Sequence, residues 1–251
     1  MKKSLLYLIF ISAFYGESAL AQRNDTVSTK KWFRHDVIGA AQIQLTYRKN
    51  DISQLNQVLS NNGLAAINAN ELWINASMSH TCHNWITEDG IGFTPIATST
   101  NNGLDAKYNQ YQAYVRLGYN ISQNTQVKLF PFVGANFSAA VLNIEDKNQE
   151  QSTANFSSEL LNRTASKTFY QPNFGVEVGA GFDYLIKLKP KNMGCFSVNR
   201  NIPIGVRAGY YFNTYAGNWK IQNFSLQNGP NQKQSNVFIS FNIGLGYQVK
   251  K

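Results

Sequence analysis

The sequence predicts an all-β fold: an eight-stranded antiparallel up-and-down transmembrane β-barrel with one short helix in its first long loop. Three observations predict it. The first is the stretch Phe174 to Lys187, where Phe174, Val176, Val178, Ala180, Phe182, Tyr184 and Ile186 share one parity. Gly175, Glu177, Gly179, Gly181 and Asp183 share the other, with Leu185 the one break. Period two belongs to a strand whose two faces meet different surroundings. A strand this long, apolar on one face and small or charged on the other, suits a sheet that is greasy outside and polar inside. The second observation is composition: 13% aromatic but only 15% charged residues, below the ~25% of an average domain. The third is loop length. Segments 49–69, 99–107, 142–168 and 216–234 read as long connections, and 81–84, 122–125 and 188–201 as shorter ones. Long loops on one side and short turns on the other are the outer-membrane barrel pattern. A soluble sandwich has no reason to sort its loops by parity.

Residues 1–21 read as a signal peptide: Lys2 and Lys3, then the apolar run Leu5 to Phe14, then Ala19-Leu20-Ala21 as the cleavage site. The run is well short of the ~20 residues a spanning helix needs. Gln22 follows the cut where a lipoprotein would have Cys. Residues 22–36 form a polar periplasmic segment, and 37–251 the barrel domain. After residue 22 no uncharged apolar run is long enough for a membrane helix, but barrel strands cross with ~9–11 alternating residues.

The first strand is Val37 to Arg48, with Ala41, Ile43, Leu45 and Tyr47 opposite Gln42, Gln44, Thr46 and Arg48. Asp51 to Gly63 changes period: Ile52, Leu55, Val58 and Leu59 fall at helical spacing, Asp51 caps the start and Gly63 closes the end. Ala69 to His80 alternates again. Trp85 to Ser99 reads as a strand interrupted by Asp89-Gly90 and by Pro95. Tyr108 to Ile121 puts Tyr111, Ala113, Val115, Leu117 and Tyr119 toward lipid and Gln112, Arg116 and Gly118 toward the lumen. Gln126 to Val141, the Phe174 strand, Ile202 to Tyr215 and Asn236 to Val249 complete eight. Tyr111 and Tyr119 lie ~26 Å apart along their strand, ~20 Å in height at a tilt of ~40°, near the ~25 Å apolar band between aromatic girdles.

The first loop "ISQLNQVLSNNGL", the late strand "IPIGVRAGYYFN" and the glycine-interrupted closing strand "FISFNIGLGYQV" resemble the small outer-membrane β-barrel proteins of Bacteroidetes-type bacteria, of the OmpX and OmpA barrel kind. The likeness spans 37–249. It implies location and shape and brings no catalytic residues with it.

Net charge is +9, or +8 once Lys2, Lys3 and Glu17 leave, and the cations are scattered, so no nucleic-acid platform is expected. His80, Cys82 and His83 are ligand types close in sequence but lack a second half at metal spacing, so they read as turn residues. His35, His80 and His83 all fall at the periplasmic rim and no carboxylate pair is evident, so neither an enzyme nor a cofactor is expected. The inward face carries Arg116, Lys128, Glu177, Asp183 and Arg207. An eight-stranded barrel is just wide enough for its own side chains, so these read as a packed lumen in which Lys128 and Arg207 flank Asp183. Cys82 and Cys195 are the only two Cys, in turns on one side of an oxidising compartment, and form a candidate disulfide if the 188–201 turn folds across the mouth.

The functional expectation is a monomeric integral outer-membrane protein in contact with lipid. Its lumen is filled and its role structural or adhesive, with a partner met through loops 49–69, 142–168 and 216–234. The alternatives are a narrow pore for small solutes and a soluble secreted barrel that binds an apolar ligand inside.

Overall fold

The computed structural model describes residues 37–147, 166–193, 196–230 and 235–250. The segments 1–21 and 22–36 lie outside the described residues, as does Cys195. Twelve strands form: β1 (Val37–Arg48), β2 (Leu72–Cys82), β3 (Trp85–Phe93), β4 (Ala97–Asn101), β5 (Leu104–Tyr119), β6 (Val127–Asp146), β7 (Lys167–Lys187), β8 (Lys191–Met193), β9 (Phe196–Ala216), β10 (Lys220–Ile221), β11 (Phe224–Ser225) and β12 (Asn236–Lys250). One helix, α1, spans Ser53–Asn61. Eight strands close an antiparallel barrel in the order β1-β2-β3-β5-β6-β7-β9-β12, with β12 returning to β1. No helix among the described residues is long and apolar enough to cross a membrane, a test that does not address strands.

One end of the barrel is closed by tight turns and the other carries α1. At the turn end, His83 and Asn84 join β2 to β3, and residues 120–126 join β5 to β6. β8 pairs with the start of β9 there. At the helix end the strands outrun the barrel. β5, β6 and β7 stay paired up to Leu104↔Asp146 and Ile144↔Lys167.

Several expectations change here. The long connection at 99–107 is instead a hairpin of β4 and β5, turned at Asn102 and Gly103, whose φ values of 51° and 80° are the left-handed pair a two-residue turn needs. The loop at 142–168 begins and ends as strand, because Leu142 and Ile144 alternate with Asn143 and Glu145 and so keep the period. The segment 216–234 contains the small hairpin of β10 and β11, which adds to the edge of β7. Asp89-Gly90 also proves no interruption: β3 runs through both, and the break falls at residues 94–96 around Pro95. Gly90 serves another purpose. A Cβ there would stand 2.6 Å from the Tyr114 ring, so the glycine lets that ring lie across β3.

α1 forms where the hydrophobic spacing falls, but Ile52 rather than Asp51 holds the N-cap position and no side chain caps it. The Asp51 carboxylate accepts from the Ser53 N–H at 3.0 Å. Gly63, at φ 76°, turns the chain and donates to Ser60 O at 3.1 Å. Leu55 and Leu59 are the buried face.

Candidate functional site: a charged lumen beneath an apolar head

The inward positions of the barrel are polar and packed. Gln44, Asn75, Ser77, Asn136 and Ser240 are buried there, with side chains of both charges between them. Arg116 pairs with Glu88 at 2.7 Å and with Glu177 at 2.8 Å. Arg207 pairs with Asp183 at 2.7 Å and with Glu88 at 3.2 Å. Glu88 therefore joins the two guanidinium groups. Neutral amides take up remaining lone pairs: Gln44 donates to Glu88 at 3.0 Å, Asn136 to Glu177 at 2.8 Å and Asn242 to Asp183 at 3.1 Å. Such satisfaction is what makes buried charge tolerable.

Aromatic rings fill the rest. Arg116 lies 4.1 Å from the Tyr114 ring centre, and Arg207 lies 4.8 Å from that of Phe130. Arg48 stacks between Trp73 and Tyr211, 4.4 Å from each. These are cation–π distances, and the rings close the space around the guanidinium planes. Gly205 is required by the network itself, since a Cβ there would overlap Asp183 Oδ1.

Of the residues singled out in the sequence, Asp183 and Arg207 come together directly, as do Arg116 and Glu177. Lys128 stands level with Asp183 across the β6–β7 ladder, while its ammonium group donates to Thr81 Oγ1 at 2.9 Å. Sequence reasoning missed Glu88, because the strand that carries it looked broken. Glu88 is inward by parity once β3 is drawn without a break, which is the signal that would have found it, and Arg48 already stood on the inward parity of β1 without being singled out. Cys82 is exposed at the turn end, its Sγ 3.5 Å from His83 Nδ1. Among the described residues no group of three His, Cys, Asp or Glu side chains is placed to hold a metal.

Above the lumen, the same inward parity changes character. Ala106 and Tyr108 on β5, Ala140 and Leu142 on β6, and Trp219 form an apolar core with Ile52, Leu55 and Leu59 of the helix segment and with Ile67. Phe169 on β7 packs against it. A cavity of about 250 Å³ opens between α1, β6 and the 226–230 segment, lined by Leu55, Leu64, Leu142, Phe169 and Trp219 among others.

The outward parity changes in the opposite sense at the same level. Along β5, Leu117, Val115, Ala113 and Tyr111 face outward in the barrel, then Asn109 and Lys107 in the arm, while Asp105, of the same parity, is buried beside Lys147 and Thr100. Along β6, Val133, Phe137 and Val141 give way to Asn143 and Glu145. The register sets Asn109 against Val141 and Lys107 against Asn143, so the two exchanges coincide. Lys107 and Glu145 pair at 2.6 Å on that polar outer surface.

No family model matches the chain, and no curated protein does. Among solved structures, the attachment invasion locus protein Ail of Yersinia pestis, in complex with the heparin analogue sucrose octasulfate, matches at 12% identity, covering 85% of this chain and 97% of that one, TM-score 0.38. A major outer membrane protein from Thermus thermophilus matches at 10% identity over 85% and 99% of the two chains, TM-score 0.41. Neisserial surface protein A matches at 11% identity over 86% and 99%, TM-score 0.34.

Proposed function

We propose that the chain is an integral outer-membrane protein whose plugged barrel holds an apolar-cored head outside the cell, for structure or for contact with an extracellular partner. The observation that carries this is the double exchange of polarity along β5 and β6. A sheet that is apolar outside and ionic inside would be unstable in water, and both exchanges at one level mark a solvent boundary. The aromatic levels agree with it. Trp85 registers with Tyr119 and Phe93 with Tyr111, so β3 and β5 carry matching pairs at both edges of the belt. Between the pairs lie ~26 Å of strand, ~20 Å of height when tilted.

The short turns then belong in the periplasm and α1 outside, and export through the signal at 1–21 belongs to the same reading. Against the pore, the lumen side chains of Gln44, Asn136, Glu177 and Arg207 are buried and fill the cross-section. Against an apolar ligand within the barrel, those same side chains are polar. Fractionation tests the main reading. The protein should enter the outer-membrane fraction, resist carbonate extraction and migrate differently on gels when unheated. A purely periplasmic protein would overturn it. Planar-bilayer recording should show no steady conductance, and discrete single-channel steps would favour the pore.

A disulfide between Cys82 and Cys195 remains part of this proposal, supported by the oxidising compartment and by the absence of any other Cys. Mass spectrometry after alkylation of non-reduced protein should find neither thiol free. Two alkylated Cys would end the idea.

A further inference from the structure

One cation of the barrel interior takes no part in its ion pairs. Arg116 and Arg207 bind the carboxylates of Glu88, Glu177 and Asp183, and Lys128 stands level with Asp183. Among the described residues no carboxylate comes within ion-pair distance of Arg48, although it is only 9% exposed. The Trp73 and Tyr211 rings, each 4.4 Å from its guanidinium carbon, cover the faces of the group. Its N–H donors therefore point edgewise, and no acceptor among the described residues meets them.

The same place gathers other orphan donors. Arg48 lines a cavity of about 30 Å³ between the ionic network and the head, to which every barrel strand except β3 lends a residue. Asn50 and Trp73 line it too, and Asn50 Nδ2 and Trp73 Nε1 are both buried without a hydrogen-bond partner. Lys49 adds a second positive charge at the wall, and no Asp or Glu lines the cavity. Asp51, the next acid along the chain, turns instead to the Ser53 N–H. One acceptor is also unpaired there, Asn173 Oδ1.

A buried guanidinium and two buried N–H groups without acceptors are costly. Water alone can satisfy the donors but leaves the charge uncompensated. An anion does both. The volume sets its size, since about 30 Å³ admits roughly two water-sized spheres. We propose that this cavity binds a compact monovalent anion of the chloride kind, held by Arg48, Asn50 and Trp73, with one water beside it donating to Asn173. The site is made by the barrel interior alone and does not depend on what surrounds the barrel.

The indole N–H of Trp73 gives a local readout. The full chain is folded in detergent micelles, and its migration on unheated gels confirms that each variant is folded. Sodium gluconate, whose anion is too bulky for the cavity, is replaced stepwise by sodium chloride at constant ionic strength. The indole proton–nitrogen signal that Trp73→Phe removes should shift and saturate below about 0.15 M chloride, the ionic strength of a physiological medium. Asn50→Ala should weaken chloride roughly tenfold, the loss expected of one hydrogen bond to a charged group. Arg48→Gln should abolish the saturable shift, and if that variant does not fold, Asn50→Ala decides. A signal that stays still or drifts linearly in the wild type overturns the proposal and leaves water as the occupant. Unchanged chloride affinity in Asn50→Ala, or a saturable shift that survives in folded Arg48→Gln, overturns it as well.

Discussion

The barrel and the head are built from the same strands, yet their interiors obey opposite rules. In the barrel, the inward residues of β5 and β7 include Gln112, Arg116, Glu177 and Asp183, and the outward residues include Val115 and Phe182. In the head, the inward residues are Tyr108 and Phe169, and Lys107 faces out. The backbone does not change across the boundary, for β5 and β6 stay in register throughout. What changes is the solvent on the far side. Strand geometry fixes which residues share a face, and the medium decides which face is apolar.

Four measurements would break or sharpen this contrast. The largest effect belongs to Glu88, which both buried guanidiniums share. Glu88→Gln should cost about 3–5 kcal/mol in a urea titration from phospholipid vesicles, because it leaves uncompensated cation in the lumen. Asp183→Asn should cost about 3 kcal/mol, since Arg207 retains Glu88. A loss below about 1 kcal/mol for Glu88→Gln would mean that the lumen is hydrated enough to ignore its pairing.

In the head, Leu55→Ala empties an apolar core and should lower local stability by about 2–5 kcal/mol. The expected readout is faster hydrogen exchange in α1 and in the β4–β5 hairpin, with the barrel's own unfolding midpoint unchanged. A matching drop in the midpoint would show that the two cores form one cooperative unit.

Arginine distinguishes the two outer surfaces. Val115, 58% exposed in mid-belt, should lose about 2–4 kcal/mol on Val115→Arg. Phe224, 70% exposed on β11, should tolerate Phe224→Arg within about 0.5 kcal/mol. Equal costs would erase the boundary between membrane and water.

The smallest effect is a pH dependence confined to the head. Asp105 accepts from Lys147 and from Thr100 Oγ1 at 2.7 Å, which holds its carboxyl below the usual carboxylate range. A carboxyl with a depressed folded-state value stabilises above the ordinary value and loses that contribution as pH falls through the folded one. Amide exchange near residues 100–105 should therefore rise in acid below about pH 4, and Asp105→Asn should abolish the dependence. An unchanged acid response in the variant would assign it elsewhere.

The period-two alternation made the eight staves legible, and the helical spacing of Ile52, Leu55, Val58 and Leu59 gave α1, although Val58 stands exposed. The arms were harder to read. At Asn143 and Glu145 the polar face is the outer one, so a reader who expects apolar residues outside sees a loop where the strand in fact continues. Tyr108, Leu142 and Trp219 each look unremarkable in their own segments, because the head core draws one or two residues from each of several distant stretches. Glu88 was hidden by neighbours that usually signal turns. Asp-Gly favours a turn when nothing opposes it, but here Tyr114 needs the space above Gly90, and pairing with β2 and β5 keeps the chain extended.

The connectivity of the lumen network also has a consequence in time. Glu88 and Arg207 are 119 positions apart, Gln42 and Asn242 are 200, and Thr46 and Ser240 are 194. No run of consecutive strands contains the whole set. A chain with seven staves in place would still hold Gln42 and Thr46 without their partners on β12, and Asn242 would be missing from Asp183. Contacts of such separation are slow to form, because the loop must close before they contribute. The interior therefore completes only when the first and last strands meet, and until then its charges favour a wet, open sheet. The ion pairs act as a latch that engages at closure, and they oppose any half-closed form that would leave them in hydrocarbon.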